Sequence, residues 1–318
     1  MSRLHAQPFR TAEALPLVGR AALRGPRYRR VMHGVHQVAE DDLGHGRRIQ
    51  GFRARHDGPF VLLGRSAAWA HGACWADQDD PVAVAIRAPH QLARTREVVP
   101  HLATLRPGDV VDKPLGPATS LGRTAVDLAR GIGGPFRSLL DRVSDVDALV
   151  RSTRLTADQA RAAASACSGL RGVRDARRVL SSCRDGVDSR PETRLRLLLL
   201  GAGLPEPRTQ CPVRTAGGRV VARLDLGWPE LRLGCEYDGA GHLDPRQVRA
   251  DLRRHNGIRE AGWLVLQVDR HQIGRPDEVL RQMAALLALR GHVRPPTPAH
   301  PSAPAPAVTT GIDGTLRG

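Results

Sequence analysis

The sequence predicts an α/β protein of several domains. Its 318 residues exceed the length of a typical single domain. Apolar runs of strand length alternate with runs of helical periodicity, and polar or Pro-rich stretches separate them. We therefore expect four segments. They are a winged-helix-like module at residues 1–45, an α/β middle domain at 46–180, a second α/β domain at 185–290, and a disordered Pro/Ala-rich tail at 291–318.

The charge of the chain favours an acidic polymer as partner. It carries 48 Lys and Arg against 32 Asp and Glu, a formal net charge of +16. Such an excess promotes contact with nucleic-acid phosphates through counterion release. The alternative is a general compositional bias, because Arg, Ala, Gly and Pro dominate and Lys113 is the only lysine.

The five cysteines predict a reduced, cytoplasmic protein. They are scattered, without CxxC or Cys/His spacing typical of zinc, and no signal peptide precedes them. The most apolar stretch, around 195–200, is interrupted by arginines and is far too short for a membrane span. We expect no membrane partner.

The N-terminal segment predicts a DNA-binding module. Residues 9–24 contain two short helical segments with a turn near Pro16 and Gly19, and a strand-like stretch comes next at 31–38. Helix, turn, helix and β-ribbon is the order of a winged helix. The predicted phosphate contacts are Arg20, Arg24, Arg27, Arg29 and Arg30. The alternative is a small helical cap with a solvated basic face.

The middle segment predicts strands and helices but no recognisable chemistry. Strands are expected at 60–63, 82–86 and 110–111, and helices at 66–71, 120–129, 135–150 and from Thr156. Ser120 is a plausible N-cap, and Asp158 or Gln159 can complete a capping box with Thr156. No glycine loop that binds phosphate is present. His71, His90 and Asp127 are interpreted as structural or surface groups.

The second α/β domain is predicted to begin at Pro191, which suits a first helical turn. A helix at 192–203 precedes strands at 212–213, 220–226 and 231–237. A helix at 245–260 and a strand at 263–268 come after them. The predicted order is therefore α, β, β, β, α, β.

Three carboxylates in this domain indicate a metal site. Glu236 and Asp238 are two apart on one strand and share a face, and a turn at 228–230 folds Asp225 back beside them. Clustered carboxylates repel unless a cation or proton separates them, and Mg²⁺ prefers oxygen ligands. A nuclease is the first hypothesis. The alternative is that Asp225 and Asp238 are turn and capping residues and that Glu236 pairs with an arginine.

The same segment resembles the very-short-patch-repair endonuclease-like branch of the PD-(D/E)xK superfamily. The resemblance rests on Glu192, Arg-Leu-Asp225, Glu236-Tyr-Asp238-Gly, Asp251-Leu-Arg-Arg-His-Asn256 and Ala-Gly-Trp263-Leu-Val-Leu. It covers about residues 185–285, a typical domain length. It implies a restriction-endonuclease-like fold with a mixed central sheet, in which Mg²⁺ activates water for attack on a phosphodiester.

The resemblance also implies roles for individual residues. Asp225 and Glu236 become metal ligands, and Glu192 becomes a third ligand or orients a metal-bound water. The position that usually carries Lys falls on Asp238, which cannot act as a cation and so puts catalysis in doubt. His242 is a candidate proton acceptor, with a surface role as the alternative.

Arginines on the helix at 245–260 are candidates for phosphate contact. Arg249, Arg253 and Arg254 lie on it, and Asp251 and Arg254, three apart, can pair. The alternative is a solvated helix face.

The N-terminal half resembles the abortive-infection type IV antitoxin family over about residues 5–135. The matching stretches are Arg27-Tyr-Arg-Arg-Val-Met-His-Gly-Val-His36, Gly64-Arg-Ser-Ala-Ala-Trp-Ala-His-Gly72 and Pro117-Ala-Thr-Ser-Leu-Gly-Arg-Thr-Ala-Val-Asp-Leu-Ala-Arg130. His36 stands where the family usually has Tyr. The resemblance implies a winged helix joined to an α/β domain in a DNA-binding repressor.

The sequence leaves three hypotheses. The first is a Mg²⁺-dependent DNA endonuclease, in phage defence or DNA repair. The second is a non-enzymatic DNA-binding antitoxin or transcriptional regulator with a degenerate nuclease fold, suggested by Asp238. The third is an interaction scaffold that uses the Pro-rich tail.

Overall fold

A computed structural model describes residues 7–41, 44–73, 75, 80–86, 92–133, 138–238 and 245–292, and the side chains of all these except 245–250. These residues contain both helices and strands, so the α/β class is confirmed. Three sheets are formed, with three, five and four strands in chain order.

The N-terminal sheet has the strand order β1-β3-β2, with β1 at Phe9–Arg10, β2 at Tyr28–Met32 and β3 at Val35–Val38. Helix α1, Thr11–Arg24, is broken at Gly19, whose φ of 77° lies in the left-handed region. The turn that the sequence predicts near Gly19 is therefore present. The hairpin of β2 and β3 comes after the broken helix.

The N-terminal sheet shares a core with the next helix of the chain. Helix α2, His45–Arg55, places Ile49 and Phe52 against Met32 and Val35 of the hairpin. One buried cluster thus includes residues from both sides of the domain boundary expected at residue 45.

The five-stranded sheet has the order β6-β5-β4-β8-β7. Its strands, in chain order, are β4 (Phe60–Leu62), β5 (Val82–Ile86), β6 (Val98–His101), β7 (Val110–Val111) and β8 (Ala118–Thr119). Helix α3, Gly64–Ala70, comes directly after β4. Strands β4, β5 and β7 match the predicted runs, whereas β6 and β8 had no sequence prediction.

Four helices pack into a bundle beside this sheet. They are α4 (Leu121–Ala129), α5 (Leu139–Ser152), α6 (Ala157–Ala166) and α7 (Val173–Ser181). Thr156 and Gln159 form the predicted capping box. Ser120 occupies the predicted N-cap position of α4, and its side chain makes no capping hydrogen bond. Its backbone N–H donates instead to the carbonyl oxygen of Asp109.

The last unit has a four-stranded mixed sheet of order β12-β11-β10-β9. Its elements, in chain order, are α8 (Arg190–Gly201), β9 (Arg208–Arg214), β10 (Val220–Trp228), β11 (Leu233–Asp238), α9 (Pro245–Glu260), β12 (Leu264–Asp269) and α10 (Pro276–Leu289). The observed order begins α, β, β, β, α, β, as predicted. Helix α10 was not predicted.

Helix α8 joins this unit to the helical bundle. Its Arg196 is fully buried and lies 3.4 Å from Asp147 of α5. The Thr193 hydroxyl donates to the same carboxylate at 2.9 Å. Two α8 side chains therefore converge on one acidic group of the bundle.

The part of the chain that the structure describes has no helix long and apolar enough to cross a membrane. Four of the five cysteines, at positions 167, 183, 211 and 235, are buried and free. Cys74 lies outside the described residues.

Candidate functional site

Strands β10 and β11 bring the predicted carboxylates together. They are antiparallel, with Leu226 opposite Cys235, and the next step of this register places Asp225 opposite Glu236. A short 3₁₀ turn at Pro229–Leu231 joins the strands, where the sequence predicts a turn. Asp225 accepts a hydrogen bond from the backbone N–H of Tyr237 at 2.8 Å, which fixes its side chain against β11.

Glu192 reaches this region from the first turn of α8. Ser189 caps the helix by accepting from the backbone N–H of Glu192 at 3.3 Å. The buried carboxylate of Glu192 accepts from the N–H of Asp188 at 2.9 Å and from the Gln210 amide at 3.5 Å. Glu192 therefore stabilises the start of α8 while its charge faces the sheet.

Arg254 of helix α9 holds Glu236. Its guanidinium donates to both carboxylate oxygens of Glu236, from Nη1 to Oε2 at 3.0 Å and from Nη2 to Oε1. A further contact runs from Nη2 to the carbonyl oxygen of Arg223 at 3.3 Å. The Glu236 side chain is 10% exposed and that of Arg254 31%. This bidentate pair is the arrangement that the sequence leaves open as the alternative to a metal site.

Arg254 does not form the predicted ion pair with Asp251. Among the described residues, its hydrogen bonds go to Glu236 and Arg223. The side chain turns toward the sheet, while Asp251 is exposed on the helix. Hydrogen bonding to Glu236 raises the pKa of Arg254, and the charges of Asp225 and Asp251 add to that shift.

Asp225 lies among like charges. Burial raises its pKa to about 6, and the nearby charges of Glu192 and Glu236 act in the same direction. The Tyr237 N–H and the Arg254 charge oppose this shift. Three carboxylates and one guanidinium therefore form a single electrostatic cluster, which we call the carboxylate cluster: Glu192, Asp225, Glu236 and Arg254.

The carboxylate cluster, as the described residues place it, does not fit a metal ion. No group of three or more His, Cys, Asp or Glu side chains in the described ranges is positioned to hold one. Both oxygens of Glu236 are bound by Arg254, and one oxygen each of Asp225 and Glu192 accepts from a backbone N–H. The magnesium site expected at Asp225, Glu236 and Glu192 stays a prediction.

The remaining predicted site residues lie away from the carboxylate cluster or outside the described residues. Asp238 ends β11, is exposed, and stands beside Asp269 in the parallel register with β12. His242 lies outside the described residues. Arg249 is within α9, but its side chain is not described. Arg253 is exposed on α9.

The arginines that the sequence predicts to contact phosphate lie mostly at the surface of the N-terminal module. Four of the five arginines are exposed and Arg29 is half-buried. None of them forms an ion pair with another described residue. They occupy the helical segment after Gly19, the turn at its end, and strand β2, in the order Arg20, Arg24, Arg27, Arg29 and Arg30.

A second polar cluster was not predicted from the sequence. Asp127 on α4 forms ion pairs with Arg123 on the same helix and with Arg130 directly after it, and Asp127 Oδ1 accepts from Arg130 Nη1 at 2.8 Å. Asp127 is 1% exposed, and burial raises its pKa against the opposing charges of both arginines. The available signal was the spacing of four and three residues, which places opposite charges on one face of an apolar helix.

The fold and these clusters define a multi-domain α/β protein with a basic N-terminal module and a carboxylate-lined C-terminal sheet. No family model matches the chain. It is 31% identical over 242 residues to the uncharacterized protein Rv2248 of Mycobacterium tuberculosis strain H37Rv, covering 75% of this chain and 84% of that protein. The uncharacterized protein MT2308 of strain CDC 1551 shows the same identity and coverage. The chain belongs to the family of these mycobacterial proteins.

One solved structure is distantly similar. The RV2827C protein of Mycobacterium tuberculosis shares 16% identity and a TM-score of 0.34, over 64% of this chain and 71% of that one. A similarity this low carries no argument about fold or function.

Proposed function

We propose that this protein is a non-enzymatic DNA-binding regulator of the antitoxin or repressor type, whose C-terminal unit is a nuclease-like fold without a working metal site. The observation that carries this choice is the bidentate contact of Arg254 with Glu236. A guanidinium already supplies the positive charge that a metal would otherwise bring to this carboxylate.

Support for DNA binding comes from the N-terminal module. The broken helix α1 and the β2–β3 hairpin have the element order of a winged helix. The five predicted phosphate contacts have no acidic partner among the described residues, so their charge is available to phosphates. The net charge of +16 acts in the same direction.

The test is selection of a DNA site by the full-length protein. A random duplex pool would be enriched on the protein, and the affinity for the selected and a scrambled duplex would be compared by fluorescence anisotropy. We expect salt-sensitive preference for the selected duplex that persists in Asp225→Asn and Glu236→Gln. Failure to enrich any sequence, or equal affinity for both duplexes, would contradict the proposal.

A Mg²⁺-dependent DNA endonuclease is the second candidate. The raised pKa of Asp225, caused first by burial and then by the charges of two nearby carboxylates, favours it. Supercoiled plasmid and single-stranded DNA would be incubated with the protein and Mg²⁺ or Mn²⁺, with Glu236→Ala as the control. Cleavage by the wild type that Glu236→Ala abolishes would establish this candidate, and intact DNA in both samples would remove it.

A further inference from the structure

A polar cavity of about 230 Å³ lies where the end of β6, helix α4 and the loop between α6 and α7 meet. It is remote in sequence from both the N-terminal arginines and the carboxylate cluster. Its charged lining comprises Arg123, Asp127, Arg130 and Arg171, with His101 beside them. The lining therefore presents three guanidinium groups and one carboxylate.

The cavity keeps an excess of positive charge when the ion pairs of its lining arginines are counted. Asp127 is shared by Arg123 and Arg130, and Asp109, outside the lining, accepts from Arg123 Nη1 at 2.7 Å. Two carboxylates thus face three guanidinium groups. The exposed side chain of Arg171 has no acidic partner among the described residues. An anion in the cavity would restore neutrality.

The lining of the cavity includes one buried nitrogen that has no hydrogen-bond partner. Nε2 of His101 is buried and has no hydrogen-bond partner in the described structure. Burial lowers the pKa of His101, and the positive charges of Arg94 and Arg130 lower it further. Arg130 uses Nε and Nη1 for hydrogen bonds, to the Arg171 carbonyl and to Asp127, while its Nη2 has no partner among the described residues. A buried polar atom without a partner is rare, and a bound oxyanion would accept from Nε2 of His101 in the tautomer that carries hydrogen there.

The loop that closes the cavity is held in place by arginines. Arg106 donates from Nη1 to the carbonyl of Ala166 at 2.7 Å and from Nη2 to that of Ser168 at 3.2 Å. Arg130 Nε donates to the Arg171 carbonyl at 2.8 Å. The backbone of Arg171 is therefore anchored next to the cavity before any ligand arrives.

We propose that this cavity binds a small phosphate group, as inorganic phosphate or as a phosphate monoester. A tetrahedral phosphate presents oxygens to donors that approach from three elements, whereas the two oxygens of a carboxylate lie in one plane. A phosphate also carries about 1.5 to 2 negative charges at neutral pH, which matches a surplus of arginines. The inference goes beyond the proposed DNA-binding function and does not depend on it.

Isothermal titration calorimetry on the full-length protein tests the site, with inorganic phosphate, glycerol 3-phosphate and acetate as separate probes at constant ionic strength. Arg171→Gln removes one positive charge, and His101→Gln removes the imidazole ring with its buried Nε2. Arg174→Gln is the matched control, because Arg174 is exposed three residues away on α7 and does not line the cavity. Thermal melting confirms that each variant is folded.

We expect phosphate to bind the wild type, and Arg171→Gln and His101→Gln to weaken binding about tenfold each, which corresponds to about 1.4 kcal/mol. Arg174→Gln should bind like the wild type. Tighter binding of glycerol 3-phosphate than of inorganic phosphate would identify a monoester as the ligand, and the reverse order would identify free phosphate. Absence of binding, equal binding of acetate, or an equal loss in Arg174→Gln would overturn the proposal.

Discussion

Arg254 donates to both carboxylate oxygens of Glu236 and thereby ties helix α9 to strand β11. The contact joins residues 18 positions apart, on the two elements that flank the segment 239–244 outside the described residues. It supplies a positive charge inside the carboxylate cluster, where the sequence predicts a metal. Its removal is the sharpest test of that cluster.

Arg254→Met should destabilise the protein and create affinity for a divalent cation. Loss of the guanidinium leaves Glu236 largely buried without a partner, which we expect to cost about 2 kcal/mol, below the range for fully buried pairs because Arg254 is partly exposed. Mn²⁺ should then bind among Glu192, Asp225 and Glu236 and recover part of the loss. Urea denaturation with and without Mn²⁺ measures both effects.

Arg253→Met is the control for this variant, since Arg253 is the exposed neighbour on α9. It should change neither stability nor Mn²⁺ binding by a measurable amount. The opposite outcome is strong Mn²⁺ binding by the wild-type protein, abolished by Glu236→Gln. It would show that the metal displaces Arg254 from Glu236.

Stability should depend on pH through Asp225. Its pKa rises from 3.8 to about 6 on folding, so the folded state retains a proton that the unfolded chain has released between these values. A raised carboxyl pKa therefore means that ionisation of Asp225 costs stability, and this loss develops as the pH rises from about 4 to about 6. Asp225→Asn keeps an acceptor for the Tyr237 N–H but carries no charge.

The free energy of unfolding of Asp225→Asn minus that of the wild type should therefore increase as the pH rises through this range. Chemical denaturation at several pH values gives the difference directly. The same measurement on Asp238→Asn, at an exposed carboxylate of β11, provides the comparison. A pH-independent difference for Asp225→Asn would show that the folded protein does not raise this pKa.

A buried ion pair should stabilise the contact between α3 and α5. Arg65 is 2% exposed and donates to both carboxylate oxygens of Asp145, from Nε at 2.9 Å and from Nη2 at 2.6 Å. Asp145→Ala should lower the free energy of unfolding by about 3 kcal/mol, because the buried guanidinium of Arg65 loses one of its acidic partners. Asp158→Ala removes an exposed partner of Arg161 and should cost under about 1 kcal/mol. Urea denaturation of both variants measures these losses, and similar values would argue against the buried pair.

Gly64 should tolerate no side chain. Its φ is 49°, and a Cβ atom there would overlap the carbonyl oxygen of Ile132. Gly72 also has a positive φ, of 92°, but a Cβ atom at that position meets no described atom within 4 Å. Thermal melting should show that Gly64→Ala costs about 1 to 3 kcal/mol more than Gly72→Ala, because both positions have a positive φ and only Gly64 adds an atomic overlap.

The sequence was sufficient for features that depend on local patterns. The capping box at Thr156 and the turn near Gly19 were predicted from the residues that these motifs require. The sequence predicts that Asp225 and Glu236 lie side by side, because side chains alternate faces along a strand and a short turn joins the two strands. In each case the partners are close together in the sequence.

Features that depend on distant packing were not predictable. Arg254 pairs with Glu236 rather than with Asp251. This pairing depends on which face of α9 packs against the sheet. Strand β6 carries Pro100, and β8 at Ala118–Thr119 has no pair of apolar β-branched residues like that of β7, so neither gives a strand signal. The cavity near His101 combines three elements far apart in the chain, and no local pattern predicts such a convergence.

The burial of Arg196 against Asp147 also constrains how this chain can be divided. A fragment that starts at residue 185 would retain a fully buried arginine of α8 and lose the acid that accompanies it on α5. Recombination that exchanged only the C-terminal unit would break the same pairing unless the new partner supplied an acid at that position. We therefore expect the helical bundle and the C-terminal sheet to be inherited together, and an expression fragment of the sheet to need α5 as well.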